Sequence, residues 1–406
     1  MPPTDLSAER SNQRNAVAAC FLGWTLDAFD FFVLTFVLAP IASDFHRSIT
    51  AITLAITASL FTRPAGALIF GILADRYGRR LPLMLDVLFY SVVEVLSGFA
   101  PNYSVFIILR LLYGIGMGGE WGVGASLALE SVPAKWRGIL SGVLQEGYAL
   151  GNLLAAVAYW LVFPHFGWRA MFFIGGLPAL LTLFIRFKVK ESPAWAAMSS
   201  QLDWRAYWRS IYRNWRRFLY LVLLMALMNF ISHGTQDFYP TFLQSQRGYR
   251  PGTTALITII SMIGAIVGGV LVGLYSDTRG RRRAMIGAIL LALVLIPAWI
   301  AAPNFAVILT GASLMQFMVQ GTWGVIPAHI NELSPDTLRG FFPGFAYQLG
   351  VLIASFSATI EGVLGKRMTY GHAMGIFAGI VLAAGAIVVA LGPEAHGVEF
   401  GRGESD

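Results

Sequence analysis

The chain has 406 residues, 56% of them hydrophobic and only 13% charged, with 43 Gly, a single Cys and a formal charge of +7. A soluble protein carries about 25% charged residues, so this composition excludes a soluble fold, and lone Cys20 excludes an intrachain disulfide scaffold. Twelve membrane helices of ~20 residues occupy ~240 positions and leave ~166 for tails and connections, too few for a separate catalytic domain.

The polar N-terminal stretch MPPTDLSAERSNQRN runs into an apolar segment too long for the core of a signal peptide, so no cleavable leader is expected. Apolar segments are predicted at 16–40, 51–72, 82–100, 104–126, 138–162 and 170–187. A second set follows at 218–242, 254–275, 284–301, 304–327, 340–364 and 373–392. Each can cross a bilayer as a helix, which predicts an all-α membrane protein with 12 transmembrane helices. Most connections are very short. The longest, 188–217, contains WRAYWRSIYRNWRR and reads as an amphipathic interfacial linker. It separates an N-terminal six-helix bundle over 1–187 from a C-terminal one over 218–406.

Lys and Arg fall unevenly. With the N-terminus in the cytoplasm, 21 of the 29 lie on that side, six (Arg47, Arg169, Arg247, Arg250, Lys366, Arg367) lie opposite, and Arg63 and Arg110 lie inside spans. The positive-inside rule then places both termini in the cytoplasm of a plasma (inner) membrane. The net charge is accounted for by topology, so the lipid bilayer is an expected partner and nucleic acid is not. The expected functional unit is a monomer.

A shift of 202 residues superimposes three features without a gap. Gly71-x3-Asp75-Arg76-x-Gly78-Arg79-Arg80 falls on Gly273-x3-Asp277-Thr278-x-Gly280-Arg281-Arg282. Gly119-Glu120-Trp121-Gly122 falls on Gly321-Thr322-Trp323-Gly324, and Glu130-x2-Pro133-x3-Arg137-Gly138 on Glu332-x2-Pro335-x3-Arg339-Gly340. The chain is therefore an internal repeat of two six-helix halves. In the first motif glycines allow close helix approach, Asp75 can pair across the interface, and Arg79 and Arg80 hold the charged side. Such a cluster can latch the halves in one state.

Ionisable residues inside spans are costly in a bilayer and are the functional candidates. Asp27 and Asp30 are one turn apart in helix 1 and share a face. In helix 7, Asn229, His233, Gln236 and Asp237 form a polar stripe, and the shift maps Asp27 on Asn229 and Asp30 on Ser232. Arg63 stands ~18 Å from the end of helix 2, near mid-membrane, where it either neutralises Asp27 or Asp30 or receives an anion. Glu120 either joins a proton path or pairs with Arg110 or another buried base. Gln145, Glu146 and Tyr148 in helix 5, with Tyr347 and Gln348 in helix 11, either bind hydroxyls or pack against small residues. Asp86 and Glu94 are read as structural. His46, His165, His329, His372 and His396 fall near ends or in loops. No cofactor is expected, and neither a metal-ligand cluster nor a nucleophile triad or nucleotide loop is apparent, so the chain does not read as an enzyme.

The parallel repeat with its Gly-x3-Asp-Arg-x-Gly-Arg-Arg loop resembles the major facilitator superfamily. That resemblance implies a major facilitator fold of two pseudo-symmetric six-helix bundles. Within it, Trp24-Thr25-x-Asp27-Ala28-Phe29-Asp30-Phe31-Phe32 and Gly118-Gly119-Glu120-Trp121 resemble the metabolite:proton and sialate:proton symporter groups. Asn229-x2-Ser232-His233-x2-Gln236-Asp237-x3-Thr241 is similar to the helix-7 signature of fungal-type lactate/pyruvate:proton permeases, in the sialate:proton symporter family. It implies substrate and proton roles for His233 and Asp237, and roles for Arg63 and Gln348. Fungal members carry a polar residue where this chain has Val351, which points to a less hydroxylated acid. The expectation is electroneutral symport of a small monocarboxylate, such as lactate or pyruvate, with a proton by alternating access. Arg63 would hold the carboxylate, Gln348 and Asn229 its α-oxygen, and Asp237 or the His233–Asp237 unit the proton, with Asp27 and Asp30 competing. The alternatives are a sialate or aromatic-acid symporter and a non-transporting carboxylate sensor.

Overall fold

The computed structural model describes residues 6–197 and 203–401. Span 1 is α1 (Leu6–Phe36), extended after a break at Val37 by α2 (Leu38–Asp44). Spans 2, 3 and 4 are α3 (Ile49–Tyr77), α4 (Arg80–Gly98) and α5 (Tyr103–Glu130). Span 5 is α6 (Arg137–Gln145) continued by the first part of α7 (Gly147–Ile174). Gly167, with φ 71° and ψ −174°, breaks α7, and the chain returns through its remainder and α8 (Ala179–Lys188) as span 6.

Two short helices, α9 (Pro193–Ala197) and α10 (Trp204–Arg213), lead into the second half. Its span 7 is α11 (Trp215–Gln236) with α12 (Tyr239–Ser245), and spans 8, 9 and 10 are α13 (Pro251–Arg279), α14 (Arg281–Ile300) and α15 (Phe305–Leu333). Span 11 is α16 (Phe342–Ala354) with α17 (Ser357–Gly365), and span 12 is α18 (Tyr370–Leu391). Eleven helical runs of described residues are long and apolar enough to cross a membrane, and the run 134–188 contains two crossings. Phe61, Trp160, Leu219, Val294 and Ile380 stay exposed on the outer surface, as lipid-facing side chains do.

The repeat seen in the sequence recurs in detail. Asn102 and Asn304, 202 residues apart, cap α5 and α15 by accepting from Val105 N and Val307 N, each at 3.0 Å. Single-turn 3₁₀ helices at Ala134–Trp136 and Asp336–Leu338 also correspond. Gly78 and Gly280 close α3 and α13 with φ of 92° and 93°, a left-handed conformation costly for other residues. Within the first half α3 packs on α5 and α1 on α7, and α13 on α15 and α11 on α16 repeat this in the second. The result is twelve transmembrane helices in two pseudo-symmetric six-helix bundles.

The halves meet through α6 against α13 and α15, and through α16 against α3 and α5. A Cβ at Gly122 would lie 2.4 Å from Gly344 Cα, so only glycine permits that approach. The outer parts of spans 5 and 11, α7 and α17, make their main contacts within their own halves. The molecule is therefore closed on the face carrying the chain termini, called here the terminal face.

The linker read over 188–217 holds the two short helices α9 and α10; residues 198–202 lie outside the described residues, and span 7 begins at Trp215. The described part bridges the two halves: α10 packs on the 3₁₀ turn at Asp336–Leu338 and on α11, and two aromatic groups of the linker reach Asp75. Trp195 Nε1 donates to Asp75 O at 2.9 Å and the Tyr207 hydroxyl donates to Asp75 Oδ2 at 3.1 Å.

Candidate functional site

At the terminal face both copies of the repeated motif build the same structure. Arg79 pairs with Asp75 at 2.9 Å and with Glu130 at 3.0 Å, and Arg281 pairs with Asp277 at 2.8 Å and Glu332 at 2.9 Å. Each acid then crosses to the other half. Asp75 Oδ1 accepts from Gly340 N at 2.6 Å, before α16, and Asp277 accepts from Gly138 N and Ile139 N at 2.8 and 2.9 Å, in the first turn of α6. A carboxylate at a helix start meets unpaired N–H groups and the positive end of the dipole. Burial and adjacent Asp75 push the Tyr207 phenol well above its ordinary value, which keeps it a donor.

The second arginines behave differently from Arg79 and Arg281. Arg80 donates to Arg186 O and Arg282 to Val389 O and Ala390 O, so each caps the last carbonyls of a helix in its own half. Arg76 stacks over Trp204, 4.8 Å from the ring centroid. Gly71 and Gly273 lie at the crossing points, where an added Cβ would strike Phe341 Cα at 2.8 Å and Gly138 O at 2.4 Å. The C-terminal segment completes this face. The Phe400 ring has the Arg137 guanidinium 3.4 Å and the Arg339 guanidinium 3.8 Å from its centroid. Two cations that close must occupy opposite faces, so the ring is clamped by one arginine from each half.

Deeper in the membrane the first half encloses five acids and two bases. Glu94 is paired with Arg110 at 2.7 Å, and Arg110 lies over the Tyr113 ring at 4.5 Å. The pairing expected between Glu120 and Arg110 is therefore not formed. Asp27, Asp30, Asp86 and Glu120 are fully buried, and neither oxygen of any of them has a hydrogen-bond partner among the described residues. Glu120 lies against α1, where a Cβ at Gly23 would come 2.3 Å from its Oε1. Asp86, read from the sequence as structural, has the same unpartnered character as its neighbours.

Arg63 is buried in α3 with Nε and Nη2 unpartnered, and no ion pair to Asp27 or Asp30 is formed. It stands beside Tyr347 of the second half, and Asp27 and Glu120 are within its electrostatic reach. Gln348 is buried next to Tyr347; its Nε2 donates across the interface to Gly118 O at 3.4 Å, and its Oε1 is an open acceptor. Around this point lies an aromatic cluster shared by both halves. Trp24 stacks on Tyr148 at 5.7 Å, Trp121 lies 4.4 Å from Tyr347, and Trp323 lies 6.0 Å from Tyr347. Gln145 Oε1 accepts from Trp121 Nε1 at 3.4 Å. Glu146 reaches the other half, where a Cβ at Gly269 would lie 2.2 Å from its Oε1.

The helix-7 signature divides between two faces. His233 Nδ1 lies 3.2 Å from Asp237 Oδ2, and the two side chains are 44% and 38% exposed, so the pair is open to solvent. Gln236 and Ser232 turn away from it onto α15, bonding Gln316 Oε1 at 2.9 Å and Gln320 Nε2 at 3.1 Å. The single stripe expected over 229, 233, 236 and 237 is therefore corrected: one residue of helix turns a side chain by about 100°. Asn229 is also engaged, its amide donating to Met225 O at 2.8 Å.

Sequence reading missed three groups. His329, placed near a span end, is fully buried in α15 with both ring nitrogens unpartnered. Glu361 in α17 is buried with both oxygens unpartnered. The tryptophans Trp24, Trp121 and Trp323 appeared only as parts of motifs. Among the described residues no group of three or more His, Cys, Asp or Glu is arranged to hold a metal ion.

Comparison with known proteins places this architecture. Residues 20–259 match the model of the Major Facilitator Superfamily, and 225–395 match that described as Sugar (and other) transporter. The chain is 31% identical over 408 residues to a probable 4-methylmuconolactone transporter of Cupriavidus pinatubonensis, covering 97% of this chain and 94% of that protein. It is 30% identical over 374 residues to a carboxylic acid transporter protein homolog of Saccharomyces cerevisiae, covering 86% of this chain and 60% of the yeast protein's length. The fold matches the proton:xylose symporter XylE with a TM-score of 0.77 at 20% identity, over 97% and 98% of the two chains. These relatives are transporters and not enzymes. With its repeated halves, its twofold Asp–Arg–Glu network and these matches, the chain belongs to the Major Facilitator Superfamily.

Proposed function

We propose that this protein is a proton-coupled secondary transporter of small organic carboxylates, working by alternating access as a monomer with both termini in the cytoplasm. The observation that carries the reading is Arg63. A buried guanidinium with two unpartnered nitrogens, at a point lined by both halves, lacks the counter-ion that low dielectric demands. A substrate carboxylate supplies it, and the planar fork binds that group through two parallel hydrogen bonds. Gln348 Oε1 is free to accept from a substrate hydroxyl. Asn229 gives one of its two N–H donors to Met225 O within α11, which leaves the other for an α-oxygen.

Proton coupling follows from the acids. An unpartnered buried carboxylate is far costlier ionised than neutral, so these groups hold protons when no cation faces them. A monocarboxylate entering beside Arg63 competes for the charge that Asp27 and Glu120 also feel, so anion and proton enter together. The Asp75 and Asp277 crossings keep the cytoplasmic side shut until both ligands are bound.

For the substrate, the helix-7 signature favours lactate or pyruvate. A second reading is favoured by the rings of Trp24, Trp121, Tyr148, Trp323 and Tyr347, which present apolar faces beside Arg63 and suit a planar unsaturated or aromatic acid. The relative described as a probable 4-methylmuconolactone transporter lends support to that second reading. The test is competition in proteoliposomes: labelled lactate uptake challenged with pyruvate, nicotinate, cis,cis-muconate and N-acetylneuraminate. Inhibition by pyruvate alone supports the first reading, and dominant inhibition by the planar acids the second. No uptake of any carboxylate under an inward proton gradient rejects both.

A further inference from the structure

Glu361 belongs to no motif and has no acidic counterpart in the first half, since the shift maps it on Tyr159. It is nevertheless 1% exposed with both carboxylate oxygens unpartnered. Its place gives it a role. α17 packs against α11, and a Cβ at Gly234 would lie 3.7 Å from Glu361 Oε1. Gly234 follows His233 directly, and Asp237 is within electrostatic reach of Glu361.

We propose that Glu361 is the buried proton-holding member of a three-residue site with His233 and Asp237. This inference rests on the reading of the protein as a proton-coupled transporter. His233 and Asp237 are open to solvent and paired with each other, so they exchange protons with water. Glu361 is shielded from water. A carboxyl buried with no partner is far costlier ionised than neutral, so the proton rests on Glu361, the buried member of the three. The proton enters at the imidazole or at Asp237, passes to a Glu361 oxygen, and leaves by the reverse steps.

Other titratable groups do not take this role. α18 also packs on α17, but it sets Phe377 against Gly234. Its His372 is bonded to Thr369 at 2.7 Å, and its Tyr370 lies against Gly365. Lys366 and Arg367 follow more than a turn beyond Glu361, at the end of α17. No cation is therefore paired with Glu361 among the described residues.

The experiment uses the full-length protein in proteoliposomes with labelled lactate and labelled nicotinate. It measures accumulation driven by an inward proton gradient and, separately, counterflow exchange without a gradient. Glu361→Gln, permanently neutral and nearly isosteric, should keep counterflow and lose accumulation. Glu361→Asp should keep accumulation with its pH midpoint moved to lower pH, since an aspartic carboxyl is the stronger acid by about 0.4 units. Loss of counterflow together with accumulation in the Gln variant, or a wild-type pH profile in either variant, overturns the proposal. If the Gln variant cannot be purified, the midpoint of Glu361→Asp decides alone. Failure of the unmodified protein to couple uptake to protons rejects the transporter reading itself, a separate outcome.

Discussion

The terminal face and the membrane interior use the same residue types in opposite ways. At the face, Asp75, Glu130, Asp277 and Glu332 each meet an arginine, and two of them also cap helices of the opposite half. In the interior, Asp27, Asp30, Asp86, Glu120 and Glu361 meet no hydrogen-bond partner, and Arg63 has two nitrogens idle. A satisfied buried pair fixes geometry, and breaking it leaves an uncompensated charge. An unsatisfied ionisable group in a membrane is stable only if something that comes and goes completes it. The first region therefore holds a conformation, and the second waits for a proton and an anion.

The comparison breaks most visibly at Arg63. Arg63→Ala should lower carboxylate affinity by about 3–5 kcal/mol, the scale of removing one partner of a buried ion pair, and labelled-substrate binding to purified protein measures it. Arg63→Lys should not restore binding, because an ammonium lacks the planar fork. Unchanged affinity in both variants would place the anion elsewhere.

At the face the expected loss is of stability and closure. Arg79→Ala leaves Asp75 without a cation and Glu130 with only Arg339, 3.7 Å away, at a cost of about 3–5 kcal/mol. Thermal unfolding should fall and hydrogen exchange at Gly340, whose N–H bonds Asp75, should accelerate. Transport without closure defects would show that the network is ornamental.

Helix 7 sharpens the contrast on one element. Asp237→Asn should abolish proton-driven accumulation, whereas Gln236→Ala, which removes a bond to Gln316, should cost about 1 kcal/mol of stability and leave coupling intact. The smallest effect is expected at the tail. Phe400→Ala removes a ring clamped by Arg137 and Arg339, worth about 1–2 kcal/mol, and should accelerate hydrogen exchange at Gly138 and Gly340 without changing substrate affinity.

Much of this architecture was legible in the sequence because it is written in local terms. Span lengths follow from hydropathy, the repeat from spacing, and the Asp75 crossing from a motif present twice. What was not legible depends on neighbours distant in sequence. Arg110 finds Glu94 because α4 and α5 pack at that level, not because of spacing. Gln236 and Asp237 are adjacent in the chain, yet only the position of α15 decides which one faces a partner helix. The linker appeared amphipathic, but its docking by Trp195 and Tyr207 beneath Asp75 is tertiary. Glu361 carries no motif signal; its burial against α11 is its only mark.

The central claim is that protons complete the interior acids when the anion binds. The direct measurement is external pH in a lightly buffered suspension of proteoliposomes containing the purified protein, recorded while lactate or nicotinate is added outside. The account predicts alkalinisation that accompanies uptake, one proton per monocarboxylate, and is absent in Arg63→Ala. Uptake of the same acid with no proton signal would contradict it.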